Sequence, residues 1–527
     1  MVRQRTVANV LVAHERAGNV AHEHHFYAAA AQHYQDALNG ATVVSDDYNR
    51  ISQKLIQALL LSGEPSAVNP LCDRLLTAYL ATPDNSTKAI EIMLKMIRQR
   101  WIDSKTNETL PIITQAMQLA ERMDEQGLWM WTNLMMHNYC VLLGRYDEAT
   151  PFLNNVGKVG NKHAVSLRIE YYGQWAAEAA ITGQAAKAYR YHKRALALVK
   201  HERDLYRVMG IWHDYSYCAT ILGDVALAKS CIERALLIAR QQHFLWSISH
   251  LCLVYASILA LMGEFRSAYG YLLEALSADA RAPILERAFA EIGIPLALHM
   301  NDEATLAKCA HPEALTLAFQ SEEPECISSV AAAFAKLYGV QGDREGAQAL
   351  LHRALEVVQP APFGWDLPLE VARQGASADL PRARNLLEAR TGLPRSGVAR
   401  ACLSLFDAHA AQRESNVFVA HAHAKDARER FEALHWHAYA DEARSLLPHV
   451  QDGSSTSQRQ SLPFTDMQSV LTLREQQVAG FVLRGMTNRA IALELSISEN
   501  TVETHMSSIM NRLGIRSRYQ LGDVLGE

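Results

Sequence analysis

No stretch of this chain is apolar for long enough to cross a bilayer. The longest apolar run, around residues 248–262, is interrupted by Ser249, His250 and Ser257, whereas a spanning helix needs about 20 predominantly apolar residues. The opening residues, MVRQRTVANVLVAHERAG, lack the long apolar core and small-residue cleavage site of an export signal. Paired cysteines are missing too. The eight present (Cys72, Cys140, Cys218, Cys231, Cys252, Cys309, Cys326 and Cys402) are scattered, with no CxxC and no metal spacing, which fits buried free thiols in a reducing compartment. Charge of one sign is scarce: the formal net charge is −5 over 527 residues, so any nucleic-acid contact must be local rather than generic. Strand-type alternation is nearly absent. These absences predict a soluble, cytoplasmic, all-α protein without membrane association.

Catalytic signatures are also wanting. A phosphate-cradling loop needs GxxxxGK[ST], and Gly157-Lys158-Val159-Gly160-Asn161-Lys162 has the wrong spacing. His22-Glu23-His24-His25 does not meet HExxH, and His409, His421, His423, His435 and His437 fall on two helices pointing several ways. The expectation is no enzyme activity, no cofactor and no metal.

What the chain does have is self-similarity. The segments LLGRYDEAT (142–150), ITGQAAKAY (181–189), ILGDVALAK (221–229), LMGEFRSAY (261–269) and VQGDREGAQ (340–348) align on a glycine with alanine five residues on. Twelve residues past the glycine stand Ala195, Ala235, Ala275 and Ala354, with Val156 in the first copy. Successive glycines are 39, 40 and 40 residues apart, and the 79-residue gap before Gly342 fits two units, with Asn301 at the missing turn. Glycine ends one helix in the left-handed conformation, and the alanines let neighbouring helices approach. Bulky residues ahead of the glycine, such as Tyr172, Trp175, Trp212 and Tyr215, fill the wedge between paired helices. The pattern resembles tetratricopeptide repeats stretched from 34 to about 40 residues. It predicts a right-handed superhelix of roughly nine to eleven helix pairs over residues 1–450. Gln451–Ser469 is the one low-complexity polar stretch and reads as a flexible linker.

Beyond the linker, residues 470–527 carry local signals for short helices. Thr472 and Glu475 make a capping box, and Gly485 supplies a stop. Thr487 or Asn488 can cap a second helix through Leu495. Ser496-Ile497-Ser498 leaves room only for a tight turn, after which Ser498 caps a third helix closed by Gly514. Two helices around such a turn, the second longer and polar on one face, form a helix-turn-helix.

This stretch resembles the DNA-binding domain of LuxR-type transcription regulators. The residues that carry the resemblance are Leu471-Thr472-x-Arg474-Glu475, Gly485-x-x-Asn488, Ile491-Ala492, Leu495, Ile497-Ser498, Thr501-Val502-x-x-His505, Ile509 and Leu513-Gly514-Ile515. LuxR-type regulators with long helical repeats resemble the maltose-regulator group, but its ATPase module has no counterpart here, nor is there a receiver-like acidic pocket. The resemblance implies a bacterial four-helix domain that binds double-stranded DNA as a homodimer through its fourth helix, here Ser517–Leu525, and works with RNA polymerase. By residue register it implies base contacts from Glu503, Thr504 and Ser507. Phosphate contacts would come from Thr487, Asn488, Arg489, Thr501, His505, Arg512, Arg516 and Arg518. Many family members carry lysine where Glu503 stands. Residues 471–527 hold six arginines and six acidic residues, so each copy should bind weakly and two copies should be needed on a palindrome.

Control falls to the repeats, which bind ligands or partners on the concave face of their first helices. The tetratricopeptide register places Trp131, Asn138, Glu170, Gln174, His213, Tyr217, His250 and Ser257 there. A small molecule or a protein held by these groups would switch DNA binding. A scaffold protein whose DNA binding is secondary is the competing expectation.

Overall fold

The computed structural model describes residues 2–39, 45–63, 65–81, 85–123, 125–157, 159–278, 282–361, 364–391, 397–447 and 498–513, with individual positions between 475 and 495. The chain divides into two compact units, Met1–Pro448 and His449–Glu527. Every regular element among the described residues is helical. No helix there is long and apolar enough to cross a membrane.

The first unit is a run of antiparallel helices. In chain order they are α1 (Val2–Glu23), α2 (Tyr27–Asn39), α3 (Asp46–Leu61), α4 (Asn69–Leu80), α5 (Ser86–Ile102), α6 (Leu110–Arg122), α7 (Gln126–Leu142) and α8 (Tyr146–Val156). The regular repeats follow as α9 (Val165–Ile181), α10 (Ala185–Val199), α11 (Leu205–Ile221), α12 (Val225–Gln241), α13 (Leu245–Leu261) and α14 (Phe265–Ser277). Then come α15 (Pro283–Ala288), α16 (Ile294–His299), α17 (Glu303–Cys309), α18 (Glu313–Ser321), α19 (Pro324–Val340), α20 (Arg344–Val357), α21 (Asp366–Gln374), α22 (Leu380–Thr391), α23 (Gly397–Arg413), α24 (Val417–Ala433) and α25 (His437–Ser445). Helices pack as sequential hairpins, among them α7 on α8, α9 on α10, α11 on α12, α13 on α14, α19 on α20 and α23 on α24. The architecture is tetratricopeptide-like.

The repeated residues explain the hairpins. Gly144, Gly183, Gly223, Gly263 and Gly342 all hold positive φ, between 71° and 84°, so each closes its helix in the region where a Cβ is costly. Asn301 does the same at φ 54° between α16 and α17. The alanines five residues on (149, 188, 228, 268 and 347) are fully buried, because two helices cross over them. The eight cysteines are all free and buried; burial pushes the Cys140 thiol up to about 11 and the Cys72 thiol up to about 12.

Successive turns of the superhelix touch. The Tyr27 hydroxyl donates to the carbonyl of Gln242 at 2.7 Å, Thr106 hydrogen-bonds Glu323, and Asn107 donates to Glu322 at 3.3 Å. These partners lie 215 to 217 residues apart. Gly223 has Leu434 and Val398 against it, and Gly263 has His437.

The regular pattern is interrupted after α14. Between α15 and α16 the helix widens into a π turn over Phe289–Gly293. Pro295 has no N–H to give to the carbonyl four residues earlier, that of Glu291, so the α-helical ladder cannot run through this point. Cys309 packs so close to Gly293 that a Cβ there would clash with its sulfur.

Candidate functional site

In the second unit the Glu499–Leu513 helix starts at Ser498, whose hydroxyl accepts the amide of Thr501 at 3.1 Å. That cap satisfies one of the donors a helix start leaves unpaired. Val502, Met506 and Ile509 are buried on one face against Val478, Ala479, Val482, Ile491 and Ala492. Glu503, Thr504 and Ser507 are exposed on the opposite face. The Thr504 hydroxyl donates to the Asn500 carbonyl at 2.9 Å, which leaves its oxygen lone pairs outward. Thr501, His505 and Asn488 are half-buried at the edges. Met510 packs partly on the core, because position 510 follows Met506 by one helical turn. Thr487, Arg489, Arg516, Arg518 and the Arg512 side chain lie outside the described residues. Sequence reading missed a tether: Ser508 donates to the buried Glu475 carboxylate at 2.6 Å, tying this helix to the start of the domain.

Residues 469–525 match the family model of bacterial regulatory proteins, luxR family. The C-terminal domain is of the LuxR family. Over 47 residues it is 53% identical to the response regulator protein TodT of Pseudomonas putida, 9% of this chain and 21% of that protein. Over 72 residues the chain is 33% identical to the oxygen regulatory protein NreC of Staphylococcus aureus, 14% of this chain and 33% of that protein. The chain thus spans a third or less of the length of these relatives. Among solved structures it is similar to a Rap protein complexed with competence and sporulation factor (14% identity, TM-score 0.41, covering 68% of this chain and 97% of that one). It is also similar to yeast Tom70 (13% identity, TM-score 0.33, covering 83% and 96%).

In the repeat unit, the eight residues expected on the concave face are all half-buried, and they fall into separate groups. Trp131 lies between two guanidiniums, Arg98 at 5.5 Å and Arg207 at 5.6 Å from its ring. Glu170 ion-pairs Arg98 at 3.3 Å and accepts from Gln174 at 3.1 Å, and Gln174 in turn meets the His137 ring at 2.8 Å. This group is satisfied within itself. Tyr217, His250 and Ser257 instead line a cavity of about 580 Å³; His213 sits beside it, its ring 5.3 Å from that of His250. Asn138 is not among the cavity's lining residues.

The far wall of this cavity was not foreseen. It comes from the helix around the π turn, from α19, from α21 and from α25, and it carries Arg287, Glu291, Glu323, Glu325, Lys336, Asp366, Glu370, Arg373, Tyr439 and Glu442. Arg373 donates to both carboxylate oxygens of Glu442, at 2.7 and 2.8 Å, and to Glu370 at 2.8 Å. Burial raises the Glu442 carboxyl, but Arg373 and His409 more than reverse this and hold it far below the usual range. Arg287 pairs with Glu323 at 3.1 Å. Tyr217 donates to Glu325 at 2.8 Å and Tyr439 to Asp366 at 3.2 Å. Burial and the nearby Asp366 push the Glu291 carboxyl up to about 7, and burial pushes Asp366 up to about 6. Burial, with His213 and Arg287 near, drops the His250 imidazole to about 3.

The histidine clusters weighed in the sequence do not gather as ligand sets among the described residues; His409 is spent on Glu442 at 2.7 Å. One unforeseen trio, His14, His33 and Asp36 on α1 and α2, brings its donor atoms within 4.8 Å of one another.

Proposed function

We propose that this chain is a DNA-binding transcription regulator acting in the bacterial cytoplasm, not an enzyme. Two copies of the LuxR-type domain read a palindromic promoter site, and an effector held by the repeat unit sets their activity. The observation that supports it best is the two-faced Glu499–Leu513 helix: Val502, Met506 and Ile509 buried, Glu503, Thr504 and Ser507 exposed. A helix fixed along one side with polar groups along the other can enter a major groove and present donors and acceptors to base edges. Glu503 would accept from a cytosine amino group, and Thr504 and Ser507 from amino groups of either purine or pyrimidine. Thr487, Asn488, Arg489, Thr501, His505, Arg512, Arg516 and Arg518 would hold phosphates and set the register. A fourth helix over Ser517–Leu525 would join the two copies, and RNA polymerase would be the partner at the promoter. The test is to incubate the purified full chain with sheared genomic DNA and sequence what it retains. Enrichment of one inverted-repeat motif upstream of genes supports the reading. Retention without any shared motif refutes it.

A further inference from the structure

The cavity walled by α11, α13, the π-turn helix, α19, α21 and α25 carries more carboxylates than cations. Six carboxylates line it (Glu291, Glu323, Glu325, Asp366, Glu370 and Glu442) against three cations, Arg287, Lys336 and Arg373. Both arginines are spent: Arg287 on Glu323, Arg373 on Glu370 and Glu442. Among the described residues, no ion pair reaches Glu291 or Asp366. Carboxylates gathered in a site partly shielded from water are costly unless a counter-charge joins them.

We propose that this cavity binds a small organic cation, an amine whose charged nitrogen sits between Glu291 and Asp366. Its hydrocarbon part lies against Leu253, Val254, Ile258 and Leu261, with Trp365 and Tyr439 beside the charge. The volume of about 580 Å³ suits a small-molecule ligand. Two further nitrogens on the same walls, Nε of Arg287 and Nδ1 of His250, are buried without a partner, and Arg287 is only 5% exposed. They would take an oxygen or nitrogen acceptor on the ligand. The π turn that carries Glu291 is the one break in the helical ladder here, and π turns recur where a helix places a functional group. The elevated Glu291 and Asp366 carboxyls fit the same picture, since a bound ammonium would replace the proton they otherwise keep. The groups facing Glu291 are Arg287, Ser329, Glu325 and Asp366; those facing Asp366 are Tyr439, Arg373, Glu370 and Lys336.

This inference specifies the effector of the regulator reading and rests on it for its biological role, though not for binding itself. The probe set is 2-phenylethylamine, 3-phenylpropanol and 3-phenylpropionate, which share a skeleton and differ in charge. Each is titrated into the full chain by calorimetry at pH 8 without DNA. The amine is expected to bind below 1 mM and the other two at least tenfold more weakly. Glu291→Gln and Asp366→Asn should each weaken the amine at least tenfold while raising the Tm of the ligand-free chain at pH 8, because each removes a carboxylate charge that desolvation disfavours. Lowering the pH from 8 to 5.5 should weaken amine binding in the wild type and leave the double variant unchanged. Equal binding of all three probes, or no amine binding at 10 mM, overturns the proposal. Tight amine binding with no change in promoter affinity would uphold the cavity and sink only effector control.

Discussion

Gly223 tests the closed winding of the superhelix. It holds φ 84°, and a Cβ added there would stand 2.7 Å from Cδ2 of Leu434 and 3.1 Å from Cγ2 of Val398, residues more than 170 positions later. Gly342 has the same φ, 84°, yet nothing within 4 Å of the added atom. Gly342→Ala should therefore cost only the left-handed penalty of about 1–2 kcal/mol, offset by roughly 0.4–1 kcal/mol from a stiffer unfolded chain. Gly223→Ala carries the same terms plus overpacking of about 1–3 kcal/mol, toward the low end because the Leu434 tip can swing. The difference between the two variants is the energy of contact between turns. All eight tryptophans, from Trp101 to Trp436, lie in the first unit, so urea unfolding followed by tryptophan fluorescence reads that unit alone in the full chain. Adding Leu434→Ala to Gly223→Ala should recover part of the loss, a coupling of about 1 kcal/mol. Equal costs at the two glycines, with Leu434→Ala simply additive, would refute contact between the turns.

The raised Glu291 carboxyl fixes the sign of a pH effect. Its folded value of about 7 lies above the ordinary 4.5, so the folded state holds the extra proton between those limits and stability falls as pH rises through them. Glu291→Gln should then be more stable than wild type at pH 8, by up to about 3 kcal/mol, with the gain gone below about pH 5. A thermal-melt series on both proteins checks this, and His250, common to both, drops out of the difference. Ser508→Ala removes a donor from the buried Glu475 carboxylate; a cost of about 1–3 kcal/mol should appear as faster hydrogen exchange across residues 499–513. Unchanged exchange would mean that the tether carries no stability. Glu503→Lys shifts each protomer by two charges, so a dimer should bind random DNA more tightly. The salt dependence of log K should steepen by up to about 2; an unchanged slope would place Glu503 away from the DNA.

The hairpins were legible because small residues had to recur: an alanine under a helix crossing and a glycine at positive φ leave the same mark in five repeats. The buried face of the Glu499–Leu513 helix was legible from the spacing of Val502 and Ile509. The cavity was half legible. Tyr217, His250 and Ser257 follow the repeat register, but Glu291, Asp366 and Glu442 reach the same space through a broken repeat and the winding of distant turns. Nothing local encodes that convergence. Two hints stood in the sequence, the 79-residue gap before Gly342 and a glutamate and a proline inside the run FAEIGIPL. Glu475 shows the same limit: its capping spacing was visible, while its bond to Ser508, 33 residues on, depends on how three helices meet.

DNase footprinting of the full chain on the fragments it retains most strongly is the most direct test. The account predicts an inverted-repeat footprint with half-sites one or two helical turns apart, lost in Thr504→Ala and altered in base preference by Glu503→Ala. Protection that survives both substitutions unchanged, or no protection at any fragment, would contradict it.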